Sequence, residues 1–246
     1  QYKVYQYLGE AINKEQATSA SAVVVDVPSG DILAMVERYS DGAINPKLEK
    51  NPTKDAYNIP EQAWGRNSMV ADLFEPGSTF KPIAMAFILE KLANHVPKYI
   101  QTQPGFVKVG KFVVKDVHPM GNISLDDVIA RSSNVGIVKL ISLTDYAQLG
   151  AWLKEKHLLE RLQLLPGEMQ GRLASTKGAD RINALTISYG YGVAINLMQL
   201  TQWYHILATG GLYVPLSLYR QPNKQATCST RKKSVAQRLI DVAVAE

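Results

Sequence analysis

Phe74-Glu75-Pro76-Gly77-Ser78-Thr79-Phe80-Lys81-Pro82 runs straight into Ile83, Ala84, Phe87, Ile88 and Leu92, apolar residues at helical spacing. Pro76-Gly77 is turn chemistry, so Ser78 is expected at a helix N-terminus with the first turn after it. Residues i and i+3 share a helix face, which brings the Ser78 hydroxyl and the Lys81 amine within hydrogen-bond reach. A serine hydroxyl is a poor nucleophile at neutral pH and needs a base; a neutral Lys81 would supply one, and burial is how proteins lower a lysine pKa. The unpaired N–H groups of the same turn favour an oxyanion beside Ser78. Pro82 falls where the first turn ends, so its missing N–H costs little. Taken alone, Ser-x-x-Lys is also the pattern of a cap followed by a solvated lysine.

On the N-terminal side, Val4, Tyr5, Leu8 and Ile12 have helical spacing. Ala22 to Val27 and Ile32 to Val36 are β-branched runs parted by Pro28, Ser29, Gly30 and Asp31, the signature of a hairpin. Glu37 to Ala63 is polar and broken by Pro46, Pro52 and Pro60, which predicts a long loop. On the C-terminal side a small β excursion is expected over 105–115, then two short helices from Asp126 to Leu143 separated near Ser132. Helical spacing returns from Tyr146 to Leu165 and from Leu197 to Ala208. Gly210-Gly211 then precedes an extended Leu212 to Leu218, and Val235 to Val244 reads as a closing amphipathic helix.

Composition narrows the function classes. With 246 residues, 46% of them apolar, one core is affordable, and no repeat or low-complexity tract divides it. The net charge of +5 carries no Arg-rich stripe or interleaved aromatics, so no nucleic-acid partner is expected; Arg231, Lys232 and Lys233 read as solvated surface. Cys228 is the single cysteine, and His95, His118, His157 and His205 lack metal-ligand spacing, so neither disulfide, metal nor other cofactor is expected. No run of about 18 apolar residues is present to span a bilayer, leaving a soluble protein or an anchor outside this chain.

Arg131-Ser132-Ser133-Asn134-Val135-Gly136 supplies a second candidate set. A hydroxyl at Ser132 can relay a proton to a leaving amine, and the Asn134 amide can hold a peptide carbonyl; the bland reading of Ser-Ser-Asn is helix capping. The segment from Phe74 to Pro82 closely resembles the active-serine segment of class B penicillin-binding proteins, and Ser132-Ser133-Asn134 follows in the family's Ser-x-x-Lys, Ser-x-Asn, Lys-Thr-Gly order. Lys115-Asp116-Val117, Ser188-Tyr189-Gly190-Tyr191-Gly192 and Met198-Gln199-Leu200 extend the likeness from about Ser21 to Leu218. The Ser-Ser-Asn-Val-Gly and Ser-Tyr-Gly-Tyr-Gly forms resemble the septal, division-specific peptidoglycan D,D-transpeptidases.

The resemblance implies an α/β penicillin-binding fold, like that of the serine β-lactamases: an antiparallel sheet with helices on both sides and an all-helical lobe, here expected mostly within 97–210. It implies Ser78 as nucleophile, Lys81 as base, Ser132 as proton relay and Asn134 as substrate-binding residue. The substrates implied are peptidoglycan stem peptides, with β-lactams bound covalently at Ser78. Divisome membrane proteins are the implied partners, and the periplasmic side of the bacterial inner membrane the implied location. Lys177-Gly178, within Ser175-Thr176-Lys177-Gly178, does not match the Lys-Thr-Gly element. The expectation is therefore one domain over 1–246 that stops before that strand, its sheet incomplete, whose chain alone need not be active. A serine β-lactamase or D,D-carboxypeptidase, and a non-catalytic β-lactam-binding or divisome scaffold module, are the alternative readings.

Overall fold

The computed structural model describes residues 1–40, 67–174, 181–219 and 237–245. Helix α1 (Tyr2–Glu15) leads into an antiparallel hairpin, β1 (Ser19–Val25) and β2 (Ile32–Tyr39), in the register Ala22 opposite Val36. The Asp26 carboxylate takes the N–H and hydroxyl of Ser29, fixing the turn read from Pro28-Ser29-Gly30. Arg38 of β2 lies over the Tyr5 ring at 4.4 Å and donates to the Tyr5 carbonyl, fastening α1 to the hairpin; Gly9 leaves room for that guanidinium. The predicted loop begins later than its sequence suggested, because Glu37 to Tyr39 continue β2; residues 41–63 of it lie outside the described residues.

After the single turn α2 (Ser68–Ala71), a 3₁₀ turn at Gly77–Phe80 opens α3 (Lys81–Leu92), with Pro82 in its first turn, where a missing N–H is tolerated. Ile83, Ala84, Met85, Ala86, Phe87 and Ile88 are all buried, so α3 is the central helix of the core and has almost no polar face. Lys81 shares that burial, at 1% exposed.

Two antiparallel pairs follow: β3 (Tyr99–Gln101) with β6 (Asn122–Ser124), enclosing the predicted excursion β4 (Phe106–Val109) and β5 (Phe112–Lys115). The predicted helix pair is α4 (Leu125–Ala130), capped by Ser124, and α5 (Asn134–Ile141), capped by Ser133. Next come α6 (Leu149–Glu155), β7 (Arg172–Leu173), α7 (Arg181–Ile187), β8 (Val193–Ala194) and α8 (Leu197–Ala208). Phe87 of α3 meets Trp152 of α6 edge-on at 5.6 Å, and Trp152 lies 5.5 Å from Trp203 of α8, so one aromatic stack joins three helices. The extended segment after Gly211 contributes β9 (Leu212–Tyr213) and runs beside the start of β2, where Ile32 N–H donates to Ser217 O.

Two helical expectations are corrected. The run from Tyr146 to Leu165 is helical only to Glu155: His157 turns left-handed at φ +62°, with Leu158 N–H closing back on Leu153 O, and further on the buried Glu168 carboxylate accepts the N–H groups of Gln163, Leu164 and Leu165 and offers that backbone a non-helical solution. From 237 on, the predicted Val235 to Val244 helix is replaced by β10 (Gln237–Arg238), paired with β9, and a short α9 (Val242–Ala245); Val235 and Ala236 lie outside the described residues. Leu239 and Ile240 donate to Gly211 O while their side chains are buried, and the Asp241 carboxylate caps the turn at Ala243, so a helix starts only there. Ser175 to Gly178, Cys228 and Arg231 to Lys233 lie outside the described residues.

Candidate active site

Two turns converge on the buried amine of Lys81. The first carries Ser78, exposed in the 3₁₀ turn, where no intrahelical carbonyl pairs with its N–H. A strap from the β8 region holds that turn. Phe74 and Ile195 exchange both backbone hydrogen bonds (3.0 and 3.1 Å), Gly77 N–H donates to Gly190 O (3.2 Å), and the Glu75 carboxylate accepts Gly192 N–H (2.7 Å). Any Cβ at Gly190, whose φ is +87°, would overlap the Gly77 carbonyl, so Ser188-Tyr189-Gly190-Tyr191-Gly192 reaches the nucleophile turn only with glycine there. From α8, the Tyr204 hydroxyl donates to Thr79 O at 2.8 Å.

The second turn carries Ser132, whose φ of +55° is left-handed, a strained conformation for a residue with a Cβ. Lys81 Nζ donates to both the carbonyl oxygen (2.6 Å) and Oγ (2.8 Å) of Ser132. The hydrogen bond between Ser78 and Lys81 expected from their spacing is not formed among the described residues: the amine turns instead to Ser132, 51 positions away. Burial pushes the Lys81 pKa down from 10.5 to about 8, with the nearby Asp116 carboxylate working in the opposite direction. Asn134 is half-buried and donates one amide N–H to Lys115 O at 3.0 Å; its other N–H and its oxygen make no hydrogen bond among the described residues.

Three supporting groups escaped the sequence reading as working residues: Asp116, Glu75 and Tyr204. Asp116 carried a signal of its own, being the only acid between Glu90 and Asp126, on a stretch rich in lysine. Glu75 and Tyr204 act across 117 and 125 residues respectively, separations that no local pattern encodes.

A hydroxyl on a helix-opening turn, a buried amine three residues on, and a second hydroxyl bound to that amine are the components of a serine–lysine acyl-transfer site. The chain belongs to the penicillin-binding protein transpeptidase domain family, whose model matches residues 20–246. It is 32% identical over 218 residues to the peptidoglycan D,D-transpeptidase FtsI of Buchnera aphidicola, covering 88% of this chain and 36% of that protein. It is likewise 32% identical over 216 residues to FtsI of Escherichia coli K12, covering 87% of this chain and 34% of the relative. The chain thus spans about a third of the length of these curated relatives. Among solved structures, the apo transpeptidase domain of Burkholderia pseudomallei penicillin-binding protein 3 superposes with a TM-score of 0.78 at 26% identity, over 100% of this chain and 64% of that one. The fold is therefore the α/β penicillin-binding transpeptidase fold anticipated from the motifs.

Proposed function

We propose that the intact protein to which this chain belongs is a division-specific peptidoglycan D,D-transpeptidase. Ser78 Oγ attacks the carbonyl between the two terminal D-alanines of a stem peptide, and its proton passes to the neutral Lys81 amine. Lys81 then returns a proton through Ser132 Oγ to the departing D-alanine nitrogen, leaving an acyl ester on Ser78. An amine from a second strand attacks that ester, loses its proton along the same route in reverse, and regenerates the Ser78 hydroxyl. Asn134 presents its free amide groups to the substrate peptide. β-Lactams carry a strained amide to the same nucleophile and acylate it.

The observation that supports this most is the buried Lys81 amine, its pKa pushed down to about 8 and its donors directed at Ser132 Oγ. A buried lysine with a lowered pKa, bonded to one serine hydroxyl and three residues along the chain from another, suits proton shuttling. On this reading the intact protein works at the septum, on the periplasmic side of the inner membrane with divisome proteins as neighbours; no helix among the described residues is long and apolar enough to cross a membrane.

Intact-protein mass spectrometry after incubation with benzylpenicillin tests the reading. A long-lived adduct of one penicilloyl group, lost in Ser78→Ala, is expected. Rapid turnover of the adduct would point to a β-lactamase or carboxypeptidase, and a folded wild-type protein that never acquires the adduct would leave a scaffold.

A further inference from the structure

The Ser132 turn is held from a direction that the acyl-transfer reading does not use. Asp116 follows β5, with its backbone N–H anchored to Gly105 O at 2.9 Å. One of its carboxylate oxygens accepts the Ser133 hydroxyl at 2.8 Å and the other accepts Val135 N–H at 2.9 Å. Ser133 is fully buried, and its Oγ also accepts Gly136 N–H at 2.8 Å. Its single proton must therefore go to Asp116, the acceptor-only partner. Gly136 lacks the Cβ that would crowd that hydroxyl to 2.9 Å. Asp116 thus clamps the first turn of α5 from outside, and Ser132, immediately before the clamp, is kept left-handed with its carbonyl and hydroxyl turned to Lys81.

We infer that Asp116 is a positioning residue of the acyl-transfer site, holding the Ser132 turn against the Lys81 amine and setting by its charge the pH at which Ser78 becomes reactive. The inference rests on the transpeptidase reading. Asp116 touches Ser133 and Val135, not the reacting atoms, so both of its effects reach the chemistry through other groups. Its negative charge opposes the effect of burial on Lys81 and keeps the amine protonated to a higher pH than burial alone would. The other charged groups on the elements packed around Lys81 are Lys115 beside Asp116, Arg131 at the end of α4, Lys139 on α5, Glu90 and Lys91 at the far end of α3, Asp126 and Asp127 on α4, and Asp241 ahead of α9; of all of these, Asp116 is the group that offsets the burial of the amine. Lys139 instead donates to Gln101 O, and Glu90 pairs with Lys156.

The two effects separate in the pH profile of acylation, measured on the intact protein with a fluorescent penicillin. Wild type is expected to gain rate as pH rises through the Lys81 titration. Asp116→Asn removes the charge, so the rising limb moves to lower pH by about 0.5–1 unit. Whichever way the new amide turns, it fails one of the two donors that the carboxylate satisfied, so the plateau also falls, by about tenfold. Ser133→Ala keeps the charge and removes the hydroxyl half of the clamp, leaving only Val135 N–H on Asp116: the plateau falls and the limb stays. A limb unmoved by Asp116→Asn, or a limb that moves in Ser133→Ala, overturns the inference; a plateau unchanged in Ser133→Ala overturns the positioning role even if Asp116→Asn fails to fold. Wild-type protein that forms no adduct at any pH sinks the transpeptidase reading as well, whereas normal wild-type acylation with an unmoved limb sinks only the role of Asp116.

Discussion

The turns on either side of Lys81 are held differently. The Ser78 turn is held mostly through main-chain bonds to the strap at 190–195, and among the described residues the Ser78 hydroxyl itself makes no hydrogen bond. The Ser132 turn keeps the local main-chain bonds of a helix end, Ser132 N–H to Ile129 O and Ser133 N–H to Val128 O, but its ties to the rest of the site run through side chains: Ser133 and Asp116 clamp it, and Lys81 binds its hydroxyl and its carbonyl. On the proposed mechanism Ser78 has to stay free to attack, so its position must be fixed by atoms that do not react. Ser132, proposed as the proton relay, has to stay bonded to the group it exchanges protons with, so chemistry and scaffold would share atoms there. Backbone packing should therefore govern one turn, and charge and hydrogen bonding the other.

Gly190→Ala tests the first half of that contrast and carries the largest expected effect. The added Cβ would overlap backbone atoms of Gly77, which cannot swing aside as a side-chain tip can, and the φ of +87° adds strain. A loss of about 3–4 kcal/mol in urea unfolding is expected, with acylation slowed about 100-fold through displacement of Ser78. A variant within about 1 kcal/mol of wild type that acylates normally would show that the strap does not position the nucleophile.

Lys81→Met probes the shared centre, where function and stability should part. The folded pKa of about 8 lies below the ordinary 10.5, so the folded state binds its proton less tightly than the unfolded chain does. Wild-type stability accordingly rises with pH between about 8 and 10.5 on account of this group. Methionine removes the cost of burying the ammonium: the gain is up to about 3 kcal/mol, full below pH 8 and fading by pH 10.5, while acylation is abolished. Thermal melts across that range check the sign. A variant less stable than wild type at pH 7 would mean that the two bonds to Ser132 outweigh the desolvation of Lys81.

How much was readable in advance follows the same division. The hairpin, α3 and the break at Ser132 are local: alternation, helical spacing and capping residues a few positions apart specify them, and Lys81 of the first motif meets Ser132 of the second. The partner of the Lys81 amine was not readable, because i,i+3 spacing favoured Ser78 whereas burial of α3 against the α4–α5 turn delivered Ser132. The overlong helix from Tyr146 fails for a related reason. Apolar residues keep their spacing past Glu155 because they remain partly or fully buried, while Glu168, three to five residues beyond the backbone it caps, redirects the chain. Periodicity reports burial, and only the destinations of the N–H groups report helix.

Gly77→Ala sharpens the comparison with the smallest effect. Gly77 and Ser132 share a left-handed backbone, at φ +56° and +55°, yet one is glycine and the other is not. Nothing lies within 4 Å of a Cβ built at Gly77, so alanine there meets backbone strain alone, about 1 kcal/mol. Its N–H still reaches Gly190 O, and the strap should hold Ser78 in place, leaving acylation within about threefold of wild type. Damage equal to that of Gly190→Ala would mean that the turn depends on conformational freedom at Gly77 and not on the close approach of Gly190. A mild effect would instead place Gly77 with Ser132: two positions where the surrounding bonds, and not the absence of a side chain, hold the left-handed turn.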